Sequence, residues 1–173
     1  MEKKQNRRGR RAAFAALFCS LVFAATWISI PAGLGNVNLG DALILATAWL
    51  FGGPWAVLVS GVGAALADLL AGYAVYAPGT LLIKATMVLV ALGVRGVTKR
   101  CPERLSRLLA GAAAELTMVT GYFLYESFVL SYGMGAALLS VPLNAVQGLV
   151  GLAVAELLVA AAKHTHAVER MGL

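Results

Sequence analysis

Residues Gly79 to Val97 read GTLLIKATMVLVALGVRGV. The run is long and apolar enough to cross a bilayer, whose core takes about 20 residues at 1.5 Å each. It closes on Arg95, with Lys99 and Arg100 just beyond. One charge, Lys84, stands inside it. Such a group costs about 2.5–3.5 kcal/mol at mid-bilayer and marks a functional position by default. Lys84 is one of 14 Lys and Arg. All the others fall in three clusters: Lys3 to Arg11, Arg95 to Arg107, and Lys163 with Arg170.

The rest of the chain extends this reading. Of 173 residues, 60% are apolar and 13% charged, and the mean hydropathy is +0.82. Soluble domains carry about 25% charged residues. The composition therefore specifies an integral membrane protein, and the length one compact domain over 1–173. The net charge of +6 is explained by basic residues flanking spans, not by a nucleic-acid-binding face with interleaved aromatics. Cys19 lies in an apolar stretch and Cys101 in a basic loop, so no disulfide framework is implied. The start resembles a signal peptide, but the apolar run Ala12–Ile30 is long for one and suits a retained first helix.

Six apolar segments are expected at about 11–30, 40–51, 55–71, 79–97, 105–130 and 135–163, with a Gly/Asn-rich loop over 31–39. The second is too short to span upright; it is either tilted or has backbone lining a cavity. The fold class is an all-α bundle of six transmembrane helices. Segment 1–10, loop 98–105 and tail 164–173 then share one side. Loops 31–39, 73–78 and 131–135 contain no Lys or Arg. The positive-inside bias makes this multi-pass bundle N-in and C-in in a cell membrane. Gly61 with Ala65 and Gly148 with Gly151 and Ala155 form small-residue rows suited to close helix packing.

With this topology, depth can be counted from the helix ends. Lys84, Tyr122, Glu126, Asn144 and Gln147 fall in the outer halves of segments four to six. Asp41 opens segment two, and Asn36 and Asn38 precede it. Together these groups form a polar layer suited to a small heterocycle with several donors and acceptors. The competing reading is that Lys84 and Glu126 merely pair. Asp68 is read as a cap or cross-bundle partner, and Glu115 and Glu156 as inner-half groups packed on a cytoplasmic Arg or a partner. Tyr73, Tyr76 and Tyr132 suit an interfacial aromatic belt, with Tyr76 also able to close over the pocket. The motifs expected for a metal site, a Ser-His catalytic set or a P-loop are missing, so neither cofactor nor catalysis is expected.

Asn38-Leu39-Gly40-Asp41, Gly52-Gly53-Pro54, Gly61-x-Gly63 with Asp68, and Gly72 through Thr80 ending Ile83-Lys84 resemble the S components of energy-coupling factor (ECF) vitamin transporters. The branch is that of riboflavin, hydroxymethylpyrimidine and pyridoxine-type S components. The resemblance spans the chain and departs at Ala85-Thr86, where many relatives carry Gly. It implies a ligand-binding subunit without ATPase activity, served by a transmembrane T component and two ATPases. It also implies that small residues on helix one contact the T component; Ala12 and Ala16 fit, with Ala16 and Ser20 as the alternative register. A hydroxymethylpyrimidine- or pyridoxine-like ring is favoured over riboflavin, because the outer layer offers Tyr but no Trp cluster. Two other classes remain open: a proton-coupled solo transporter using Glu115 or Glu156, and a ligand-free structural subunit.

Overall fold

The computed structural model describes residues 2–32 and 35–165, with side chains over 9–30 and 37–165. The order is α1 (Glu2–Trp27), β1 (Ser29–Ala32), β2 (Gly35–Asn38), α2 (Gly40–Leu50), α3 (Gly53–Leu70), α4 (Ala77–Val97), α5 (Glu103–Leu124) and α6 (Met134–His164). Five of the six helices are long and apolar enough to cross a membrane, and α2 is the exception. At 11 residues it is about 16 Å long, roughly half a bilayer core.

Neighbouring helices form a ring, α1–α3–α4–α5–α6–α2, which α2 closes onto α1. α2 also leans inward onto α3 and α4, so its Asp41, Ala42, Ile44, Leu45 and Thr47 are fully buried. With Val22, Met87, Val88 and Met118 they form the centre of the core. Large apolar side chains such as Leu82, Leu116, Leu149 and Leu157 point outward, as expected where lipid is the solvent.

Two departures from the expected all-α bundle concern the first loop and the ends of α1. The helix leaves off at Trp27, and residues 29–32 pair antiparallel with 35–38, Ser29 opposite Asn38. Pro31 cannot continue a helix and pushes its predecessor to extended backbone; pairing the two short strands then satisfies the freed N–H and C=O groups. At its other end α1 begins at Glu2, inside the basic segment 1–10. The side chain of Asn36 and the tail beyond Thr165 lie outside the described residues.

Glycine governs the tightest contacts. Gly52 and Gly53 turn the chain between α2 and α3 with φ of 63° and 64°, a backbone that side chains disfavour. Within α3, a Cβ at Gly63 would lie 2.7 Å from the Cys19 carbonyl of α1, and one at Gly61 2.8 Å from the Leu81 carbonyl of α4. These two positions let α3 seat between α1 and α4 at backbone contact.

Candidate functional site

The polar residues of the bundle separate into two connected layers. In the deeper one, Lys84 Nζ of α4 donates to Asp41 Oδ1 at the start of α2. Gln147 Nε2 of α6 donates to the other oxygen, Asp41 Oδ2, at 2.6 Å. Gln147 Oε1 in turn accepts the Asn38 backbone N–H at 3.1 Å. Asn38 Oδ1 accepts Gly40 N–H at 2.9 Å, an Asx-type turn that starts α2. The hairpin, α2, α4 and α6 are thus joined through one carboxylate. Asp41, Lys84 and Gln147 are 0%, 4% and 5% exposed, so the network is held out of solvent. Lys84 Nζ also sits 5.3 Å from the centre of the Tyr122 ring, within cation–π range. The Tyr122 hydroxyl shares a 2.9 Å hydrogen bond with Thr80, and Asp68 of α3 faces Thr80 and Lys84.

Nearer the opposite end from the basic loop lies Glu126. After Leu124 the helix widens into a π-helical turn, Tyr125–Val129, a distortion frequent at functional sites. Glu126 there accepts from Ser140 Oγ at 2.6 Å and from the Tyr76 hydroxyl at 3.4 Å. Burial, with Glu126 beside it, raises the Tyr76 phenol well above its ordinary pKa, so it remains a neutral donor. Tyr125 lies flat over Gly79, where a Cβ would come within 2.6 Å of its ring, and donates to the Val75 carbonyl at 2.8 Å.

This geometry corrects the competing reading, in which Lys84 and Glu126 pair. Lys84 pairs with Asp41, not with Glu126, which is occupied by Ser140 and Tyr76. The reason is the length of α2. Gln147 stands 13 positions into α6, about 20 Å along its axis. A Cβ on neighbouring Gly151 would lie 2.9 Å from the Asp41 Cβ, so α2 starts near the middle of α6. Counting depth from helix ends puts the start of the short α2 level with the outer ends of its neighbours and so sets Asp41 too shallow.

Asp41, Lys84, Tyr122, Gln147 and Asn38 are therefore brought together, and Glu126 caps a second layer. Asn144 is half-buried and has no hydrogen-bond partner among the described residues. The network includes two residues that the sequence reading missed, Thr80 and Ser140. Thr80 was detectable: Tyr76, Thr80 and Lys84 follow at four-residue spacing on one face of α4. Ser140 stands likewise four before Asn144.

Glu115 departs from its expected setting on a cytoplasmic Arg. It is buried against Gly148 and Gly151, beside Asp41 and Lys84, and its two oxygens have no hydrogen-bond partner among the described residues. Glu156 does meet an Arg: Arg107 grips it with two 2.9 Å bonds and reaches Glu103 at 3.0 Å. Lys163 also binds Glu103. Ala12, Ala16 and Ser20 lie exposed in a row on α1, the least buried of the five long helices. Among the described residues, no cluster of His, Cys, Asp and Glu is suited to a metal.

Three likenesses to known proteins bear on this arrangement. The family model for the ECF-type riboflavin transporter S component matches residues 8–164. A thiamine precursor transporter, HmpT, of Lactococcus lactis subsp. cremoris is 31% identical over 162 residues, covering 91% of this chain and 90% of that protein. An uncharacterised protein of Pyrococcus woesei, from the gap 3′ region, is 38% identical over 126 residues, covering 72% of this chain and 80% of that protein. With a match that runs from α1 through α6, this chain belongs to the family of ECF-type riboflavin transporter S components.

Proposed function

We propose that this chain captures a small vitamin or vitamin precursor at its outer face, for ATP-driven import by a partner module. The observation that supports this most is the hydrogen-bonded link from the first-loop hairpin to the membrane interior, Asn38 to Gln147 to Asp41 to Lys84. A ligand settling among the hairpin, Asn144 and the Glu126 layer would meet donors and acceptors already set by packing, which lowers the ordering cost of binding. In this reading Asn36, Asn38, Tyr122, Glu126, Asn144 and Gln147 surround the ligand. Asp41 and Lys84 form the floor on which Gln147 is held. The bundle crosses the membrane with both termini inside, α2 and the hairpin together serving as one crossing. The exposed row Ala12, Ala16 and Ser20 is the docking face for a transmembrane T component, which two ATPases drive.

The favoured ligand is a single small ring of the hydroxymethylpyrimidine or pyridoxine kind. The thiamine-precursor transporter among the relatives supports it, and so does the exposure of Trp27, which lies against Phe23 on the outside of α1. Riboflavin, named in the family model, is the alternative. The test is calorimetric titration of the purified chain with hydroxymethylpyrimidine, pyridoxine, thiamine and riboflavin. Sub-micromolar binding of one of the first two is expected, and no binding of any tighter than micromolar would refute the capture role. Glu115, buried and without a hydrogen-bond partner among the described residues, is the feature that favours proton-coupled transport without partners. ATP-independent uptake by the lone chain in vesicles would establish that reading instead.

A further inference from the structure

At the basic end of the bundle, α4 and α5 separate around a cavity of about 340 Å³ lined by Leu92, Arg95, Gly96, Lys99, Cys101 and Glu103, with Ser106. Nothing in vitamin capture uses it. Its back wall is fixed: the Ser106 hydroxyl bonds the Thr98 hydroxyl at 2.7 Å, and Thr98 Oγ1 donates to Val94 C=O at 2.8 Å. Arg95, in the last turn of α4, and Lys99, in the turn just after it, both line the cavity, and two like charges facing one space favour an anion between them. The single acid of the lining, Glu103, is bonded to Arg107 and Lys163 and feels Arg95 only through the longer-range field. Among the described residues, Arg95 and Lys99 form no ion pair closer than 4 Å.

The surroundings say where an anion would come from. Val97, next in the chain to the lining residue Gly96, is 85% exposed, and Leu105, next to the lining residue Ser106, is exposed with Leu109 one turn further on, so exposed apolar side chains adjoin the lining on both helices. A soluble anion would need no such rim. A lipid whose acyl chains run along Val97 and Leu105 could turn its headgroup into the cavity against the two cations. Basic pockets between spans, beside such apolar surface, are the setting in which phosphate headgroups are held.

We infer that the α4–α5 cavity is a binding site for the phosphate headgroup of an anionic phospholipid, with Arg95 and Lys99 as its cationic ligands. The full chain in neutral detergent would be titrated with phosphatidylglycerol and, separately, phosphatidylcholine, with bound lipid counted by native mass spectrometry. Saturable retention of one phosphatidylglycerol in preference to phosphatidylcholine is expected. Each cation near an anionic lipid contributes enough that R95Q or K99Q should weaken retention roughly fivefold, and the double variant about 25-fold. R11Q/R100Q removes the same charge from outside the cavity lining and should leave retention within about twofold. Alkylation of Cys101, followed on its own peptide, should slow when phosphatidylglycerol is bound, a readout that does not depend on variants folding. Equal losses in the two double variants, or Cys101 rates indifferent to the lipid, would overturn the assignment. Equal protection of Cys101 by inorganic phosphate alone would also overturn it, in favour of a soluble phosphate.

Discussion

Asp41 is the residue on which the interior depends, because its two oxygens hold two different helices to a third. Removing one member of a buried pair leaves the other uncompensated, at a cost of about 3–5 kcal/mol. Lys84→Ala should therefore lower thermal stability in detergent sharply, and its effect on affinity cannot be read alone. Lys84→Met with Asp41→Leu removes both charges and should recover most of that loss. If the double variant is no more stable than Lys84→Ala, the pair is not the source of the damage. Asn144 is the cleaner probe of the pocket, since it has no protein partner to strand among the described residues. Asn144→Ala should weaken vitamin binding about tenfold, near 1.4 kcal/mol, while the unfolding temperature stays within a few degrees. Unchanged affinity would remove Asn144 from the ligand shell. At this scale the sequence singled out several of the polar residues that the bundle joins, but not who holds whom. Lys84 was conspicuous as a cation in an apolar run, whereas its partner depended on where α2 begins.

Among the elements, α3 makes the firmest demands. Gly63→Ala would press a methyl onto the Cys19 carbonyl at 2.7 Å. Backbone has little room to yield, and overpacking of this kind costs about 1–3 kcal/mol. Gly93→Ala in α4, where nothing lies within 4 Å, should be neutral or slightly stabilising, since Ala is the better helix former. Matched thermal melts of the two variants test this, and equal melting points would contradict the close α1–α3 contact. The small-residue rows were legible because four-residue spacing of Gly and Ala places them on one face. The hairpin 29–38 was not. Its strands are four residues each, too short to show alternation, and Ser29 and Ile30 continue the apolar composition of α1 without a break. The π-helical turn at Tyr125–Val129 has no compositional signature at all, and it decides how Glu126 meets Ser140.

For the molecule as a whole, the five helices long and apolar enough to cross a membrane were plain from hydropathy, and the clustered Lys and Arg supply the expected orientation. Reporter fusions at the two termini should both be active inside the cell; a split result would refute N-in/C-in. Docking belongs to this scale too. Ala16→Trp puts a large ring on the exposed α1 face, away from the polar layers. It should abolish ATP-driven uptake with the partner module while leaving vitamin affinity unchanged, and loss of both would mean misfolding. The short, mostly buried α2 has a consequence for biosynthesis. At 11 residues, with a carboxylate in its first turn, it is a poor substrate for insertion by hydrophobicity alone, which takes about 17–25 apolar residues. Its neutralising cation lies 43 positions further along the chain, and its amide donor 106. The segment must therefore wait at the membrane surface, or travel with α3, until α4 and then α6 have been made. Of the described helices, the one made last, α6, is the one that completes the hydrogen bonding of the second.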